Sequence, residues 1–356
     1  MNQARIEKVR ENMKQAGLKQ IIVTKTESVY YLTGIWVEPI ERMMAVYLDD
    51  SGRTIFFGNK LFGVLPQEGL EVQEHTDSDN PVEQLAKAVL PGELGVDDTW
   101  PSCFLIGLMA LRSDVKPVMG SLPVDQSTMC KDEEEREKMR KASLIDDQCM
   151  DMVIHSVKEG VTEKELSEKV QNFFKAHDCN EVGFSIVGMS ANGADPHHGA
   201  DQTVLKEGDS IVFDIGAPFE HYWCDMTRTV FYKSVTEEQR KVYETVRRAN
   251  AAAIAIIKPG MKFKDFDLAA RKVIEDAGYG EYFTHRTGHS IGMNEHEKPP
   301  VASDCEVVAR PGMVFSIEPG IYLPGKFGVR IEDLVLVTED GCEVLNKYPK
   351  DLIVVK

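Results

Sequence analysis

Four carboxylates stand in segments whose other residues are mostly apolar. Asp214 lies in I-V-F-D-I-G and Asp225 follows in C-D-M-T-R-T-V, while Glu318 and Glu332 lie in V-F-S-I-E-P-G and V-R-I-E-D-L-V. An isolated carboxylate is costly to bury, so such acids are usually paired or bound to a cation. A turn between the first two segments would bring Asp214 and Asp225 together, and a divalent cation is the common remedy for their repulsion.

His289 adds an imidazole to these acids. It lies in H-R-T-G-H-S-I-G, where glycines allow the backbone to approach a ligand closely. One histidine and four carboxylates form a hard, oxygen-rich donor set that suits two ions better than one. Such donors favour Mn²⁺ or Co²⁺, and Zn²⁺ is also compatible. An ion pair between Asp225 and Arg228 is the alternative for one acid, but it does not account for the whole set.

The segments that carry these acids alternate with helices in the second part of the chain. Charged, periodic stretches predict helices over residues 131–158, 162–177, 236–257 and 264–277, and the apolar segments with tight turns predict strands. Thr162 and Glu165 form the signature of a capping box. Helices in pairs with antiparallel strands indicate an α+β domain with a curved sheet.

The first part of the chain has a different pattern. Helices are predicted over residues 3–16 and 81–90, with strands over 21–23, 45–48, 54–57 and 93–96, which indicates an α/β domain. A turn-rich stretch over residues 120–127 predicts the boundary. We therefore expect an N-terminal domain over 1–122, a linker over 123–132 and a second domain over 133–356.

Composition limits the partners of the protein. The 356 residues include 41 basic and 58 acidic side chains, a net charge of −17, which disfavours nucleic acid and anionic membranes as partners. The seven cysteines are scattered without a C-x-x-C pair, which indicates a reducing compartment. The charged N-terminus is not typical of a signal peptide, and no apolar run approaches the roughly 20 residues that span a bilayer. We expect a cytoplasmic protein.

The acids, His289 and the residues around them resemble the pita-bread metallopeptidase family, which includes methionine aminopeptidase, Xaa-Pro aminopeptidase, Xaa-Pro dipeptidase and creatinase. The matching stretches are D-I-G-A, D-M-T-R-T, T-G-H-S-I-G, E-P-G-I-Y and G-V-R-I-E-D, within residues 130–350. The resemblance implies an α+β protein in which a creatinase-like N-terminal α/β domain precedes a pita-bread catalytic domain. The two-domain length resembles the proline-specific and creatinase branches.

The resemblance also implies a role for each residue. Asp214 would bind one ion, His289 and Glu318 the other, and Asp225 and Glu332 would bridge the two. His197 in D-P-H-H-G and His296 in N-E-H-E-K-P match two histidines on the substrate side, with His198 as the alternative to His197. Glu318 would take a proton from the attacking water and pass it to the proline nitrogen, while His197 or His296 would stabilise charge on the carbonyl oxygen. His285 and Arg330 would lie close to the substrate, a surface ion pair being the alternative for Arg330.

Among the branches of this family, we expect a Xaa-Pro dipeptidase that acts on proline-containing peptides. A Xaa-Pro aminopeptidase acting on longer peptides is the alternative, and a non-catalytic peptide-binding module is a third possibility. The stretch E-P-I-E-R resembles the D-P-H-E-R loop of bacterial dipeptidases, with Ile40 in place of histidine. That loop reaches the active site of the partner subunit, which implies a homodimer in which Arg42 reads the substrate carboxylate; a solvated loop arginine is the alternative.

Overall fold

The computed structural model describes residues 1–179 and 183–356, and the chain divides into two compact units, Met1–Thr128 and Met129–Lys356. The N-terminal unit contains a mixed sheet of six strands. In spatial order these are Glu71–His75, Thr54–Asn59, Ala45–Asp49, Gln20–Val23, Gly92–Val96 and Val115–Met119. The three central pairings around Gln20–Val23 and Ala45–Asp49 include two antiparallel ones, so the sheet is not a purely parallel α/β sheet.

Five helices accompany this sheet: Gln3–Gln15, Thr26–Thr33, Pro81–Ala88, Ser102–Leu111 and Leu122–Thr128. The first buries Ile6, Val9 and Met13, which share one face because of their helical spacing. The stretch interpreted from sequence as turn-rich instead contains the helix Leu122–Thr128. Proline is tolerated in a first helical turn, and here Pro123 is buried.

The C-terminal unit contains two helix pairs and two main sheets. The helices are Glu133–His155, Glu163–Ala176, Glu237–Ile254 and Phe263–Asp276. The first sheet consists, in order, of Ile353–Val355, Met226–Tyr232, Ser210–Gly216 and Phe184–Met189, and the second of Glu297–Val301, Gly288–Ser290, Val314–Ile317, Asp333–Val337 and Cys342–Val344. Two short ribbons complete the described strands, Pro218–Phe219 with Tyr222–Trp223 and Gly320–Leu323 with Phe327–Arg330.

Each helix pair packs against its own sheet. Val153 and Val170 of the first pair lie in one apolar cluster with Phe213. In the second cluster, the rings of Phe263 and Phe315 lie 4.7 Å apart. The apolar sides of both sheets are thereby covered by helices, and the acid-bearing positions face a common cavity.

Candidate active site

A cavity of about 640 Å³ in the C-terminal unit is lined by residues from both sheets. Its lining includes all the expected metal ligands and four further residues expected at the site: Asp214, Asp225, His289, Glu318, Glu332, His197, His296, His285 and Arg330. Residues more than 100 positions apart in the chain therefore meet here. Arg42 lies in the N-terminal unit, where its guanidinium pairs with Asp77 and Glu41, and its role as carboxylate reader stays a prediction.

Asp214 and Asp225 are brought together by an antiparallel pairing. Asp214 lies opposite Thr227, and Asp225 precedes Thr227 by two positions, so the three side chains share one face of the first sheet. The neighbouring Arg228 belongs to the other face, where Nη2 lies 2.8 Å from Asp333 Oδ1. The alternative pairing of Asp225 with Arg228 is therefore wrong.

Glu332 joins this group through Thr227. The Thr227 hydroxyl donates to Glu332 Oε2 at 2.7 Å, and the backbone N–H of Glu332 donates to the Thr227 carbonyl at 3.1 Å. A residue at the start of a second-sheet strand is thus fixed against the first sheet. Thr227 was not among the predicted site residues, although its place in D-M-T-R-T, two positions after Asp225, put it on the same face.

Three carboxylate oxygens in this cluster are buried without a hydrogen-bond partner among the described residues: Asp214 Oδ1, Asp225 Oδ1 and Glu332 Oε1. A buried acceptor left unpaired costs roughly 1–3 kcal/mol, and more when it is charged. The three oxygens belong to three acids that repel one another. A bound cation would satisfy all three oxygens and remove the repulsion.

The orientation of His289 supports the same conclusion. Its Nδ1 lies 3.2 Å from the Ser290 carbonyl, and this contact assigns the ring proton to Nδ1, which donates it to that oxygen. Nε2 then carries the lone pair. Nε2 lies 3.6 Å from Asp225 Oδ2 and 3.5 Å from Glu318 Oε1. A lone pair that faces two carboxylates at these distances is repelled by them unless a cation lies between. Asp225, His289 and Glu332 can together offer ligand atoms within 4.8 Å of one another.

Gly288 fixes the position of His289. A Cβ at Gly288 would lie 2.0 Å from the Ser316 carbonyl oxygen, so only glycine permits this approach of the two strands. The His289 N–H then donates to Ser316 Oγ at 3.0 Å, and that hydroxyl donates to Glu318 Oε1 at 3.1 Å. His289 and Glu318 are held together by one serine.

Burial and mutual repulsion change the proton affinities of the acids in the cluster. Burial and the charges of Glu332 and Asp214 raise the pKa of Asp225 well above its usual value, and burial and Glu318 do the same for Glu332. Burial raises the pKa of Glu318 to about 7, although Arg330 opposes the shift. Binding of protons or of a cation therefore relieves the repulsion among these acids.

Arg330 is a buried residue of the site, not a member of a surface ion pair. Its guanidinium lies 2.6 Å from Asp214 Oδ2, 3.0 Å from Thr227 Oγ1 and 2.9 Å from the Tyr322 hydroxyl. That hydroxyl lies 2.8 Å from His285 Nε2, while His285 Nδ1 donates to the Arg286 carbonyl at 2.7 Å. Since Tyr322 accepts from Arg330, it donates to His285, and both ring nitrogens of His285 are engaged by the protein. Contact of His285 and Arg330 with substrate stays a prediction.

The two substrate-side histidines also reach the cavity. The His296 ring lies against that of His289, with centroids 3.8 Å apart, and its Nδ1 accepts a hydrogen bond from Arg286 Nη2 at 3.3 Å. This contact places the proton of neutral His296 on Nε2. His197 lines the cavity, whereas His198 donates to Glu163 at 2.7 Å, so the two neighbouring histidines have different surroundings.

Sequence reasoning missed two charged residues of the lining, Arg286 and Glu295. Arg286 lies between His285 and the T-G-H motif, and Glu295 directly precedes His296. Glu295 Oε1 lies 3.6 Å from His296 Nε2, and Arg286 contacts the other ring nitrogen. Their closeness to the matched histidines was the available signal.

Two family models match the chain. Residues 137–339 match the family model described as Metallopeptidase family M24, and residues 5–126 match that of the Creatinase/Prolidase N-terminal domain. The chain belongs to metallopeptidase family M24. Its architecture is a creatinase-type N-terminal α/β domain followed by a pita-bread domain, which confirms the predicted fold class and the family resemblance.

Relatives extend over almost the whole chain. The probable dipeptidase PepE of Mycobacterium tuberculosis is 38% identical over 350 residues, 96% of this chain and 93% of the relative. A prolidase of Thermococcus sibiricus is 31% identical, with a TM-score of 0.92 over all of both chains. An X-Pro aminopeptidase of Thermotoga maritima is 28% identical, with a TM-score of 0.84 over 97% of this chain and 100% of that one. Within the described ranges, none of the helices has the length and apolar character needed to cross a bilayer.

Proposed function

We propose that this chain is a dipeptidase that hydrolyses the bond before proline in Xaa-Pro dipeptides, using two divalent ions, with Mn²⁺ as the first candidate. The observation that carries the proposal is the set of three buried carboxylate oxygens that have no hydrogen-bond partner within residues 1–179 and 183–356 and lie beside the His289 lone pair. Asp214, His289 and Glu318 would bind the ions singly, and Asp225 and Glu332 would bridge them. When bound, such ions polarise a carbonyl group and lower the pKa of water towards neutrality.

The residues of the chain supply the proton transfers. Glu318 would take the proton that the attacking water loses and pass it to the proline nitrogen. That nitrogen becomes a secondary amine when the bond breaks and needs this proton to leave. His296 carries its own proton on Nε2 because Arg286 occupies Nδ1, so it can donate to the carbonyl oxygen as negative charge develops there.

Dipeptidase specificity requires a cation beyond the scissile bond for the substrate carboxylate. Two arginines line the cavity, and Arg330 is already paired with Asp214. Arg286 is exposed and contacts His296 with one of its nitrogens, which leaves guanidinium donors for a carboxylate. We therefore assign the carboxylate to Arg286. Arg42 of a second subunit is the other candidate for binding the substrate carboxylate, and this role would require a homodimer.

Substrate length tests the proposal. The Mn²⁺-loaded protein is assayed with a Xaa-Pro dipeptide, the Xaa-Pro-Xaa tripeptide and a Xaa-Ala dipeptide, and we expect hydrolysis of the first alone. Cleavage of the tripeptide alone would replace this assignment with the aminopeptidase alternative, and cleavage of the Xaa-Ala dipeptide would remove the proline specificity. Metal binding without hydrolysis of any of the three would favour the non-catalytic peptide-binding module.

The carboxylate assignment has its own test. Replacing Arg286→Gln removes a charge-assisted interaction of about 1.5–3 kcal/mol, so KM for the dipeptide should rise about 10- to 100-fold. Arg248→Gln, an exposed arginine on the helix Glu237–Ile254, is the matched control and should leave KM unchanged. An unaltered KM in Arg286→Gln would move the assignment to Arg42.

A further inference from the structure

A buried carboxylate outside the metal-ligand set contacts the segment that carries His197. Glu163 is the first residue of the helix Glu163–Ala176, and its side chain is fully shielded from solvent. Its Oε1 accepts hydrogen bonds from the Met189 N–H at 2.6 Å and from Asn192 Nδ2 at 3.0 Å. Its Oε2 accepts from His198 Nε2 at 2.7 Å and from the Asp201 N–H at 3.2 Å.

These donors come from both ends of one stretch of chain. Met189 and Asn192 precede His197, whereas His198 and Asp201 follow it. Between them, the His197 N–H donates to Asp195 Oδ1 at 3.0 Å, which closes a turn. One carboxylate therefore fixes the chain on either side of His197, and Pro196 and His197 enter the lining of the cavity from this turn.

The second helix pair provides an internal comparison. The Glu163 N–H donates to the Thr203 carbonyl at 3.1 Å, and in the same way the Phe263 N–H donates to the Val307 carbonyl at 2.9 Å at the start of the helix Phe263–Asp276. Phe263 is as fully buried as Glu163, and it packs against aromatic rings. An apolar side chain is thus sufficient to close such a helix start, and a buried acid there needs another reason.

Glu163, His198 and Asp201 are also close enough together to hold an ion. The hydrogen bonds argue against a metal site here, because each oxygen of Glu163 already accepts two hydrogen bonds from the protein. Asp201 Oδ1 in turn accepts from the Thr203 N–H at 2.6 Å. The group is a completed hydrogen-bond network that orders the polypeptide.

We propose that Glu163 and His198 are positioning residues for His197, holding its turn at the mouth of the metal cluster so that its imidazole meets the substrate. The proposal rests on the proposed function, together with the expectation from the sequence that His197 is one of the two histidines able to stabilise charge on the substrate carbonyl oxygen. Neither residue lines the cavity or belongs to the ligand set, so their loss should leave the metal content intact. An interaction that improves placement of a group acting in the transition state affects kcat more than KM.

The test uses the full-length, Mn²⁺-loaded protein and three variants. Glu163→Gln turns an amide NH₂ towards N–H donors, and His198→Ala removes one donor from a site that is partly exposed. Both variants should lower kcat for the dipeptide about 10- to 100-fold, because a small misplacement of a catalytic group has an effect of this size, while KM and metal content stay nearly unchanged.

His198→Gln retains an N–H for Glu163 and should recover most of the activity. Glu165→Ala, which breaks the capping box of the same helix, is the control and should retain kcat.

Wild-type kcat in Glu163→Gln and His198→Ala would overturn the proposal, and so would an equal loss in Glu165→Ala, which would indicate helix stability alone. Hydrogen–deuterium exchange of residues 189–203 gives a readout independent of hydrolysis. It should be faster in Glu163→Gln than in Glu165→Ala, and equal exchange would also overturn the proposal. A wild-type protein that binds Mn²⁺ but hydrolyses no Xaa-Pro dipeptide would instead remove the proposed function, leaving exchange as the test of the segment.

Discussion

Asp225 differs from a structural acid in how its two oxygens are used. One lies 3.6 Å from His289 Nε2, and the other is buried with no hydrogen-bond partner in the part of the chain that the structure describes. Replacing Asp225→Asn should lower metal affinity and the rate of hydrolysis together, each by more than about 100-fold. Mutation of residues that only support metal ligands already lowers metal affinity or activity about 10- to 100-fold. Metal analysis after gel filtration and the dipeptide assay measure the two effects. Asp276→Asn, on an exposed helix face, is the control. Activity retained in Asp225→Asn would contradict the bridging role.

His296 contacts the cluster through its ring face and not through a nitrogen. Its ring lies against His289, and its Nδ1 accepts from Arg286, so only Nε2 is left for the substrate. His296→Ala should therefore lower kcat by about 100- to 1,000-fold, the usual effect of removing one donor to a developing oxyanion, while metal content stays near the wild-type value. If metal were lost in proportion to activity, His296 would be a ligand instead.

At the scale of elements, strand alternation separates the chemistry of the site from its support. Glu332 lines the cavity and Thr227 contacts it from the same side, while their neighbours Arg228 and Asp333 face the opposite side. There Asp333 accepts from Arg228 and from Lys350, both within 2.8 Å, and Arg228 also donates to the Tyr348 carbonyl. This buried ion network joins the two acid-bearing strands to the C-terminal segment.

Asp333→Asn should lower the free energy of unfolding by about 3–5 kcal/mol, because it leaves the charge of Arg228 buried and uncompensated. Chemical unfolding of the metal-free protein at pH 7 measures the loss. Asp340→Asn, in an exposed turn, is the control. A loss below about 1 kcal/mol would mean that the network contributes little.

The same network makes the stability of the folded protein depend on pH in the acid range. Burial alone would raise the pKa of Asp333, but Arg228 and Lys350 outweigh it and lower the pKa. The unfolded chain then binds the proton more readily than the folded one, so the stabilisation is present above the ordinary carboxyl pKa of about 4 and is lost as pH falls through the folded value. Unfolding between about pH 5 and pH 2 should therefore depend less on pH in Asp333→Asn than in the wild type.

Sequence reasoning predicted those elements whose periodicity or apolar character is strong. The helices expected at 3–16, 162–177 and 264–277 were confirmed to within about two residues, as Gln3–Gln15, Glu163–Ala176 and Phe263–Asp276. The helix Ser102–Leu111 was not predicted, because it is apolar on all sides and has no amphipathic period. The strand Glu71–His75 was also missed, since a polar strand at a sheet edge shows little alternation.

The site was predictable where burial conflicts with charge. Acids in apolar strands indicated residues that the fold brings to one cavity, without knowledge of that fold. Tyr322 and Arg286 could not be found this way, because a tyrosine in a strand and an arginine in a loop are ordinary. Their roles depend on contacts across the folded molecule, such as that of Tyr322 with His285, 37 positions away.

At the scale of the whole molecule, the acid cluster makes stability depend on metal and pH together. Burial and neighbouring acids raise the pKa of Asp225, and burial raises the pKa of Glu318 to about 7. The folded, metal-free protein therefore binds protons that the unfolded chain releases, and it loses stability as pH rises from about 4 to 7. Bound metal replaces these protons, so the gain in Tm from Mn²⁺ should be larger at pH 7.5 than at pH 5. Thermal unfolding with Mn²⁺ or with a chelator at both pH values measures the gain.

Metal-free Asp225→Asn should unfold at a higher temperature than the metal-free wild type at pH 7.5, because one repelling charge is absent. Equal gains at both pH values, with no difference between the metal-free proteins, would show that the carboxylates do not form a coupled cluster.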